Sequence, residues 1–377
     1  MVRAISLALK GEGRVEPNPM VGCVIVKAGR ILGEGYHRRF GGPHAEIEAL
    51  RHCRVSPRGA TVYVSLEPCC HFGKTPPCTD ALIQAGVSQV VAALPDPNPL
   101  VAGGGIKTLR AAGIDAVVGP AATEAAELLA PYLTRTRLGR PYVIAKWAQS
   151  LDGKLATRTG DSKWLSSEAS RRLVHRLRAR VDAVIVGSGT VLADDPLLTA
   201  RNVPLKRRAT RVVLDGRLRI REKCQLIGTA NTVPTLVLTT APNARSAKAD
   251  RLRRAGVEVI RCRTLTGRIS LRPAMATLAQ RGMTNVLLEG GPALLTAFLD
   301  AGLVDEAIVF TAPILIGGAE APTAYAGRGR SRIAKTLKPR SMSIRLVEGD
   351  VMHRLRLTEP ADALPSQGQR GAARTLV

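Results

Sequence analysis

Two short stretches of the chain carry side chains that could hold a metal ion. The first, PHAEIEAL at residues 43–50, has His44 and Glu46 two positions apart at the start of a predicted helix. The second, EPCCHFGKTPPC at residues 67–78, offers four further donors to a soft metal: Cys69, Cys70, His71 and Cys78. A mononuclear catalytic zinc site uses three protein ligands and leaves one position for water. The two stretches therefore contain more donors than one catalytic site would use.

The positions of the cysteines favour one set of ligands. Cys69 and Cys78 each follow a proline, one after a predicted strand and the other at a predicted helix start, where two segments can converge. A helix N-terminus also stabilises a thiolate. We therefore predict that His44, Cys69 and Cys78 bind zinc, while Cys70 points away from its neighbour and His71 is not needed. A closed four-ligand site that includes Cys70, or a set of purely structural thiols, remains the alternative.

One His and two Cys on zinc, with a Glu that is not a ligand, is the arrangement that deaminases of nucleobases use. The metal would acidify a water molecule so that hydroxide forms near neutral pH. Glu46 would act as the catalytic acid–base, carrying a proton to the ring nitrogen and to the departing ammonia.

The elements around these motifs predict an α/β domain over residues 1–140. Strands alternate with helices, which implies parallel pairing with right-handed crossovers in a three-layer domain. The expected elements are a hairpin at 21–37, helices at 44–53, 79–86 and 105–113, and strands at 60–68, 88–94 and 114–119. The polar segment TRTRLGRP, residues 134–141, is the expected linker.

A second alternation predicts another domain over residues 141–360. The expected strands are 181–187, 210–216, 234–240, 257–262 and 284–291, the expected helices are 167–180, 246–256 and 292–302, and the runs 305–318 and 342–357 are expected to be mostly β. The turn LLEGGPALL lies between a strand and a helix, where backbone N–H groups can receive a phosphate. It lacks the GxGxxG spacing of a Rossmann fold. Residues 361–377 have no pattern, and we expect a disordered tail.

Composition narrows the class of protein. No apolar run reaches the roughly 18 residues of a membrane span, and no secretory signal is recognisable. The seven cysteines are odd in number and spread over both halves, so they do not suggest a framework of disulfide bonds. We therefore expect a cytoplasmic protein with some metal-bound thiols. The net charge of +25 is scattered in short basic runs, and only 3% of the residues are aromatic. These features favour a small phosphorylated ligand over a specific nucleic acid.

The first half resembles the deaminase half of the bifunctional riboflavin-biosynthesis deaminase–reductases. The resemblance rests on the runs PNPMVGCVIV, GEGYH, PHAEIEAL, LEPCCHFGKTPPC, DALIQAG and DPNPLVAGGGI. It implies a cytidine-deaminase-like fold, with Asn18 hydrogen-bonded to the pyrimidine and Lys74 near the substrate phosphate or a ring carbonyl. Met20 and Cys70 depart from the family pattern, in which a second Asn and a small hydroxyl residue are common.

The second half resembles the reductase half of the same family, through the runs KWAQSLDGKLA, GDSKWLSS, GSGTVLADDPLLTAR and the LEGGP turn. The resemblance implies a dihydrofolate-reductase-like fold and NADPH as cofactor. It carries the dinucleotide site onto Ala148, Trp164, Thr190, Asp194, Gly216, Gly291, Pro292, Ala293, Leu294, Leu295, Thr296 and Ala297. It carries the sugar-phosphate site onto Ser162, Arg178, Leu198, Arg201 and Glu289. Two arginines suit bidentate capture of a phosphate. The default interpretation of Trp164 is instead a place in the core. The alternative for Asp195 is a role in a turn with Asp194.

Two functions are therefore compared. The first is a pair of successive steps in riboflavin synthesis: deamination of a diaminopyrimidinone ribosylamino phosphate, and then reduction of its ribosyl chain to ribityl. The family resemblance also implies a homo-oligomer, a dimer or a tetramer. The second is a nucleic-acid-binding, base-editing deaminase, which explains the charge and the zinc motif but leaves the second half without a role. A relative with one inactive half ranks last, because every metal and acid position is present.

Overall fold

The computed structural model describes residues 1–73, 76–327 and 329–359. Within them the chain divides into two compact units, Met1–Gly139 and Arg140–Glu359. Lys74 and the expected tail at 361–377 lie outside the described residues. None of the helices in the described ranges combines the length and the apolar character that are needed to span a bilayer.

The first unit is built on a five-stranded sheet with the strand order β2-β1-β3-β4-β5. Its strands are β1 (Gly22–Lys27), β2 (Arg30–Tyr36), β3 (Thr61–Val64), β4 (Gln89–Ala92) and β5 (Asp115–Val118). Its helices are α1 (Val2–Ala8), α2 (Ala45–Arg51), α3 (Cys78–Ala85), α4 (Gly104–Ala111) and α5 (Ala122–Leu138). The predicted hairpin is confirmed as the antiparallel pair β1–β2, and β3, β4 and β5 run parallel as strand–helix alternation requires.

Helices cover both faces of this sheet. Residues on α2, α3 and α4, among them Ala49, Leu82 and Leu109, pack with Ile25 and Val62 on one face. The helices α1 and α5 pack on the other face, where the buried side chains include Ala4, Leu7, Val24, Leu129 and Leu133. The predicted three-layer arrangement is therefore confirmed. Alternate residues of β1 face opposite layers, as the two-residue period of a strand dictates.

The run GEGYH allows α2 to lie directly on β2. A Cβ atom on Gly35 would stand 2.3 Å from the backbone nitrogen of Ala49 and 2.4 Å from the carbonyl oxygen of Ala45. No side chain fits in that space, so glycine is required there. This contact matters for the site, because the first turn of α2 carries both His44 and Glu46.

The second unit is built on a nine-stranded sheet with the strand order β10-β9-β8-β7-β13-β6-β14-β16-β15, beside a two-stranded β11–β12 ribbon. The strands are β6 (Tyr142–Ser150), β7 (Ala183–Gly187), β8 (Thr210–Leu214), β9 (Thr235–Thr239), β10 (Glu258–Arg261), β11 (Thr264–Leu265), β12 (Arg268–Ile269), β13 (Asn285–Leu288), β14 (Glu306–Ala312), β15 (Ser341–Val347) and β16 (Asp350–Arg356). The helices are α6 (Glu168–Arg178), α7 (Ser188–Asp194), α8 (Gln225–Gly228), α9 (Ala241–Ala244), α10 (Ala247–Arg254), α11 (Leu271–Gln280) and α12 (Pro292–Asp300).

In the nine-stranded sheet, the neighbouring strands β10, β9, β8, β7, β13, β6 and β14 pair in parallel. The β15–β16 hairpin is added through β16, which pairs antiparallel to β14. Parallel strands bring their carboxyl ends to one edge of a sheet, where open α/β proteins bind their ligands. The segments GSGT after β7, DG after β8 and EGG after β13 all begin at this edge.

The predicted linker at 134–141 is wrong over most of its length. Helix α5 continues through Leu138 and ends at Gly139, which adopts a left-handed conformation. Leu129 and Leu133 are buried on the inner side of α5, and this burial stabilises a helix whose exposed residues look like a polar linker. The expected β run 305–318 is also shorter than predicted, since β14 ends at Ala312, before Pro313.

An ion pair buried at the beginning of the second unit joins β6 to the segment before β14. The guanidinium of Arg140 donates to both carboxylate oxygens of Asp305, at 2.6 and 2.8 Å. Asp305 also accepts the backbone N–H of Val143 at 2.8 Å and the hydroxyl of Thr358 at 2.9 Å. Asp305 is 1% exposed, so its charge depends entirely on these donors.

We predict that Asp305→Asn lowers the stability of the second unit by about 3–5 kcal/mol, because it leaves the buried Arg140 without its anion. Thermal unfolding of the purified protein measures the effect. The control Glu168→Gln breaks an exposed pair with Arg172 on α6 and should change stability by less than about 1 kcal/mol. Equal stability of the two variants would contradict the prediction.

Candidate active sites in the two units

Three of the predicted metal donors in the first unit converge on one point. His44 caps the N-terminus of α2, Cys78 is the first residue of α3, and Cys69 lies in the loop after β3. The donor atoms of all three side chains lie within 4.8 Å of one another. Nδ1 of His44 lies 3.2 Å from Sγ of Cys78 and 3.5 Å from Sγ of Cys69. The ligand set predicted from the sequence is therefore gathered in space.

The geometry of this cluster fits zinc. Zinc bonds of about 2.0 Å to nitrogen and about 2.3 Å to sulfur, at a tetrahedral angle, place the two donor atoms about 3.5 Å apart. The nitrogen–sulfur distances of 3.2 and 3.5 Å agree with that value. One imidazole and two thiolates are also the soft donors that zinc prefers. Three protein donors leave a fourth position open.

The electrostatics of the cluster favour a thiolate. A hydrogen bond from Cys78, opposed by burial and assisted by His44, lowers the pKa of the Cys69 thiol. The backbone N–H of Cys78, at the start of α3, donates to Sγ of Cys69 at 3.4 Å. The hydrogen bond with Cys69 also raises the pKa of His44. The site therefore stabilises negative charge on the sulfur of Cys69, while the hydrogen bond with Cys69 and burial raise the pKa of the Cys78 thiol.

Glu46 lies in the first turn of α2, two residues after His44, and is 3% exposed. Burial raises the pKa of Glu46 to about 7, and the nearby His44 opposes this rise. A carboxyl group with a pKa near neutrality can both take up and release a proton at physiological pH. Its position and its pKa suit the acid–base role predicted from the His-x-Glu spacing.

The surplus donors lie away from the cluster. Sγ of Cys70 lies 3.9 Å from the carbonyl oxygen of Leu100, and it is absent from the group of converging donors. Among the residues that the structure describes, Nδ1 of His71 is buried without a hydrogen-bond partner, and His71 does not belong to that group. Both positions agree with the ligand choice made from the sequence.

Asn18, the predicted pyrimidine contact, is held by a histidine that the sequence analysis did not single out. Nδ2 of Asn18 lies 3.2 Å from Nε2 of His37, and Nδ1 of His37 lies 2.9 Å from the carbonyl oxygen of Pro43. The rings of His37 and His44 meet edge to face, with their centroids 5.4 Å apart. His37 thus joins Asn18 to the metal cluster. Its position in GEGYH, just before PHAE, was the available signal.

In the second unit, several predicted ligand residues meet at the carboxyl edge of the parallel strands. The hydroxyl of Thr190, on α7, accepts the backbone N–H of Gly291 at 3.1 Å and so joins the GSGT and LEGGP turns. Gly291 is the N-cap of α12 and Pro292 is its first residue. Gly216 follows β8 at the same edge, and Ala148 lies in β6 opposite Phe310. The turn predicted to receive a phosphate therefore opens a helix, as expected.

The remaining residues of the 291–297 run differ in their exposure. Leu295 is fully buried in the core of the unit, so only its backbone could contact a ligand. The hydroxyl of Thr296 accepts the backbone N–H of Ala326 at 2.9 Å. Leu294 packs beneath Gly290, while Ala293 and Ala297 are exposed.

Arg178 and Glu289 form a half-buried ion pair. The guanidinium donates to both oxygens of Glu289, at 2.6 and 2.7 Å, and to the carbonyl oxygen of Thr199 at 3.3 Å. Burial alone would raise the pKa of Glu289, but the Arg178 charge lowers it below its ordinary value. Burial lowers the pKa of the nearby Lys146, and the Glu289 charge opposes this effect. Two of the five N–H donors of Arg178 therefore bind Glu289 and a third binds Thr199, so the guanidinium is already held by the protein.

The other predicted sugar-phosphate residues lie on loops. Leu198 is 3% exposed and has a left-handed backbone, with a φ of 55°. Arg201 is exposed, and its backbone N–H donates to Nδ1 of His175 at 3.2 Å. Ser162 is exposed on the loop before α6. Arg201 therefore has the more accessible guanidinium of the two predicted arginines.

Trp164 is not a core residue, since it is 75% exposed. Its backbone is left-handed, with a φ of 63°, and the guanidinium carbon of Arg171 lies 4.5 Å from the ring centroid. An exposed, flat aromatic surface in a strained loop is suited to contact with a ligand. Asp195, in contrast, is part of a turn: it follows the last residue of α7, Asp194, and accepts the backbone N–H of Gln225 at 2.8 Å.

Two family models match the chain. Residues 1–94 match the cytidine and deoxycytidylate deaminase zinc-binding region, and residues 141–352 match the RibD C-terminal domain. The first unit is therefore cytidine-deaminase-like, and the second has the dihydrofolate-reductase-like fold of the RibD C-terminal domain.

Curated relatives and solved structures match over nearly the whole chain. The riboflavin biosynthesis protein RibD of Aquifex aeolicus is 46% identical, over 84% of this chain and 87% of its own length. RibD of Escherichia coli is 43% identical, over 84% of this chain and 88% of its own length. A structure of Acinetobacter baumannii RibD superposes with a TM-score of 0.83 at 38% identity, and covers 95% of this chain and 97% of that one.

A further structure, from Thermotoga maritima, is that of a diaminohydroxyphosphoribosylaminopyrimidine deaminase/5-amino-6-(5-phosphoribosylamino)uracil reductase. It superposes with a TM-score of 0.82 at 36% identity, and covers 95% of this chain and 97% of that one. In these relatives, a deaminase and a reductase are parts of one polypeptide. This chain likewise matches a zinc-binding deaminase region in its first unit and a reductase domain in its second. The chain belongs to the RibD family of bifunctional riboflavin biosynthesis enzymes.

Proposed function

We propose that the chain catalyses two successive steps of riboflavin synthesis. The first unit deaminates 2,5-diamino-6-ribosylamino-4(3H)-pyrimidinone 5′-phosphate, and the second reduces the ribosyl chain to give 5-amino-6-ribitylamino-uracil 5′-phosphate. The observation that carries this proposal is the convergence of His44, Cys69 and Cys78 beside the buried Glu46. The second unit, with its match to the RibD C-terminal domain, supports the reductive step.

In the deaminase unit, His44, Cys69 and Cys78 would hold zinc, with Nδ1 as the donor atom of the imidazole. Zinc, when bound, supplies the positive charge that acidifies a water molecule. Glu46 would take a proton from the water and deliver it to the ring nitrogen as the hydroxyl adds to the reacting carbon. It would then take a second proton from that hydroxyl and deliver it to the amino group, which leaves as ammonia while the carbonyl forms. Asn18, held by His37, orients the pyrimidine by hydrogen bonding. Lys74 is proposed as a further contact to the substrate.

In the reductase unit, the dinucleotide would lie along the carboxyl edge of the parallel strands. The Gly291 turn would receive a phosphate at the start of α12, and Trp164 would cover the cofactor. NADPH supplies the hydride, and the protein holds it against C1′ of the sugar. Arg201 would bind the substrate phosphate, while Arg178 holds Glu289 in place.

The nucleic-acid-binding alternative is not favoured. It gives no role to the Arg140–Glu359 unit, which matches a reductase family. The net charge of +25 is compatible with capture of an anionic intermediate. A homo-oligomer stays part of the proposal, and sedimentation of the purified protein tests it.

The metal ligands are tested by substituting neighbouring cysteines. We expect Cys69→Ser to lose the zinc ion, because it removes a thiolate of the cluster. Cys70→Ser should keep one zinc per chain and full deamination, because Cys70 faces Leu100 instead of the cluster. Metal analysis of both purified variants measures the difference. Loss of zinc from the Cys70 variant would support the closed four-ligand site.

The acid–base role is tested by Glu46→Gln, which keeps the shape of the side chain but cannot exchange the proton. We expect deamination to fall by about 10²-fold or more, with zinc and reductase activity retained. The control is Glu48→Gln, on the same helix, because buried Glu48 pairs with Arg38 and Arg51 and is not one of the site residues. Similar deamination rates in the two variants would contradict the assignment.

The two-step order is tested with the diaminopyrimidinone ribosylamino phosphate and mass spectrometry. Without NADPH, the product should show the mass change of an amino group replaced by a carbonyl oxygen. Adding NADPH should then add two hydrogens, and NADH should replace it poorly. No change without NADPH would rule out the deaminase step, and deamination without later reduction would rule out the reductase step.

A further inference from the structure

The segment 96–106, DPNPLVAGGGI, leads from the end of β4 into α4, and the two proposed reactions give none of its residues a role. Both ends of this segment are bound by one buried side chain, Glu67. Oε2 of Glu67 accepts the backbone N–H groups of Asp96 and Gly103, each at 3.0 Å. Oε1 accepts the backbone N–H of Ile106, also at 3.0 Å. Glu67 is 4% exposed, so these bonds are shielded from water.

Glu67 is joined to the metal cluster through the backbone, since it precedes the ligand Cys69 by two residues. The start of α4 also lies directly on this connection. A Cβ atom on Gly105 would stand 2.0 Å from the carbonyl oxygen of Pro68, and one on Gly104 would stand 2.9 Å from Sγ of Cys70. The glycine-rich run is therefore required for α4 to approach the Glu67–Cys70 segment.

The segment has further anchors of its own. Oδ1 of Asp96 accepts the backbone N–H of Asn98 at 2.9 Å and the hydroxyl of Tyr132, on α5, at 2.8 Å. These bonds shape the turn, but they do not reach the metal ligand. Among the contacts described, the Glu67 carboxylate binds the first and last turns of the segment and is continuous with Cys69.

We propose that Glu67 is a positioning residue of the deaminase site, which couples the order of segment 96–106 to the position of Cys69. The inference rests on the proposed zinc-dependent deamination. A metal that fixes Cys69 also fixes Pro68 and Glu67, and thereby holds the three N–H groups in place. The coupling is reciprocal, so a loosened segment disturbs the sulfur of Cys69 in turn. Outer residues of metal sites commonly orient the ligands in this way.

The first test is amide hydrogen exchange of the full-length, zinc-loaded protein, before and after removal of zinc with a chelator. In the unaltered protein, the N–H groups of Asp96, Gly103 and Ile106 should exchange slowly with zinc and faster without it. In Glu67→Gln they should exchange at least about tenfold faster even with zinc, because an amide replaces the charged acceptor. Exchange at the rate of the unaltered protein in this variant would overturn the proposal.

The second test separates positioning of the ligand from a general loss of stability. The protein is loaded with Co²⁺, whose thiolate absorption bands report the geometry at Cys69. Glu67→Gln should shift these bands, while the control Glu34→Gln, which breaks an exposed pair with Arg3 in the same unit, should leave them unchanged. A cobalt spectrum of Glu67→Gln identical to that of the unaltered protein would overturn the link to the ligand.

Glu67→Asp provides a variant that keeps the negative charge, should Glu67→Gln fail to fold. Its carboxylate is one methylene shorter and cannot reach all three N–H groups, so it should speed exchange at Gly103 and Ile106, whereas unchanged exchange would overturn the proposal. Turnover of the pyrimidine by the unaltered protein is measured in parallel. If the protein does not deaminate the pyrimidine but amide exchange still depends on zinc, the proposed function alone is refuted. If deamination is normal but amide exchange does not depend on zinc, the role of Glu67 alone is refuted.

Discussion

The first unit depends on bringing three donors from separate segments to one point, where Cys78 is buried and His44 and Cys69 are half-buried. His44 and Cys78 stand at the starts of two helices, and Cys69 stands in a loop after a central strand. Specific contacts bring these segments together. Gly35 lets α2 lie on β2, and the N-terminus of α3 donates to the sulfur of Cys69. The sheet therefore serves as the frame on which a small metal site is assembled.

Burial has opposite consequences for the acidic residues of the two units. Burial raises the pKa of Glu46 to about 7, although the nearby His44 opposes the rise, and this value suits proton transfer. Glu289 is half-buried, and the guanidinium of Arg178 lowers its pKa and holds it in the charged form. The same kind of side chain thus has a raised pKa in one unit and a lowered pKa, within an ion pair, in the other, because of the charge beside it.

The strong positive charge is distributed over both units, and many arginines have local partners. Arg251 pairs with Glu222, and Arg281 with Glu258, on the surface of the second unit. Exposed pairs of this kind add little to stability, commonly less than about 1 kcal/mol each. Scattered and paired arginines agree with an enzyme that attracts a small anion, because a nucleic-acid groove needs a continuous basic surface.

The sequence by itself determined the fold classes and predicted the metal donors and the acid, because these depend on local patterns and on residue types with few alternative uses. A His-x-Glu at a helix start, two cysteines after prolines, and strand–helix alternation can each be recognised within a few residues.

Only the tertiary structure decided which residues support these elements and side chains. Helix α5 was mistaken in part for a linker, since burial of Leu129 and Leu133 is invisible in a polar stretch. The pairing of Arg178 with Glu289, 111 positions apart, and the binding of segment 96–106 by Glu67 required distant segments to meet. Hydrogen bonds between such segments depend on how the layers pack, and the order of residues along the chain does not encode that packing in any local pattern.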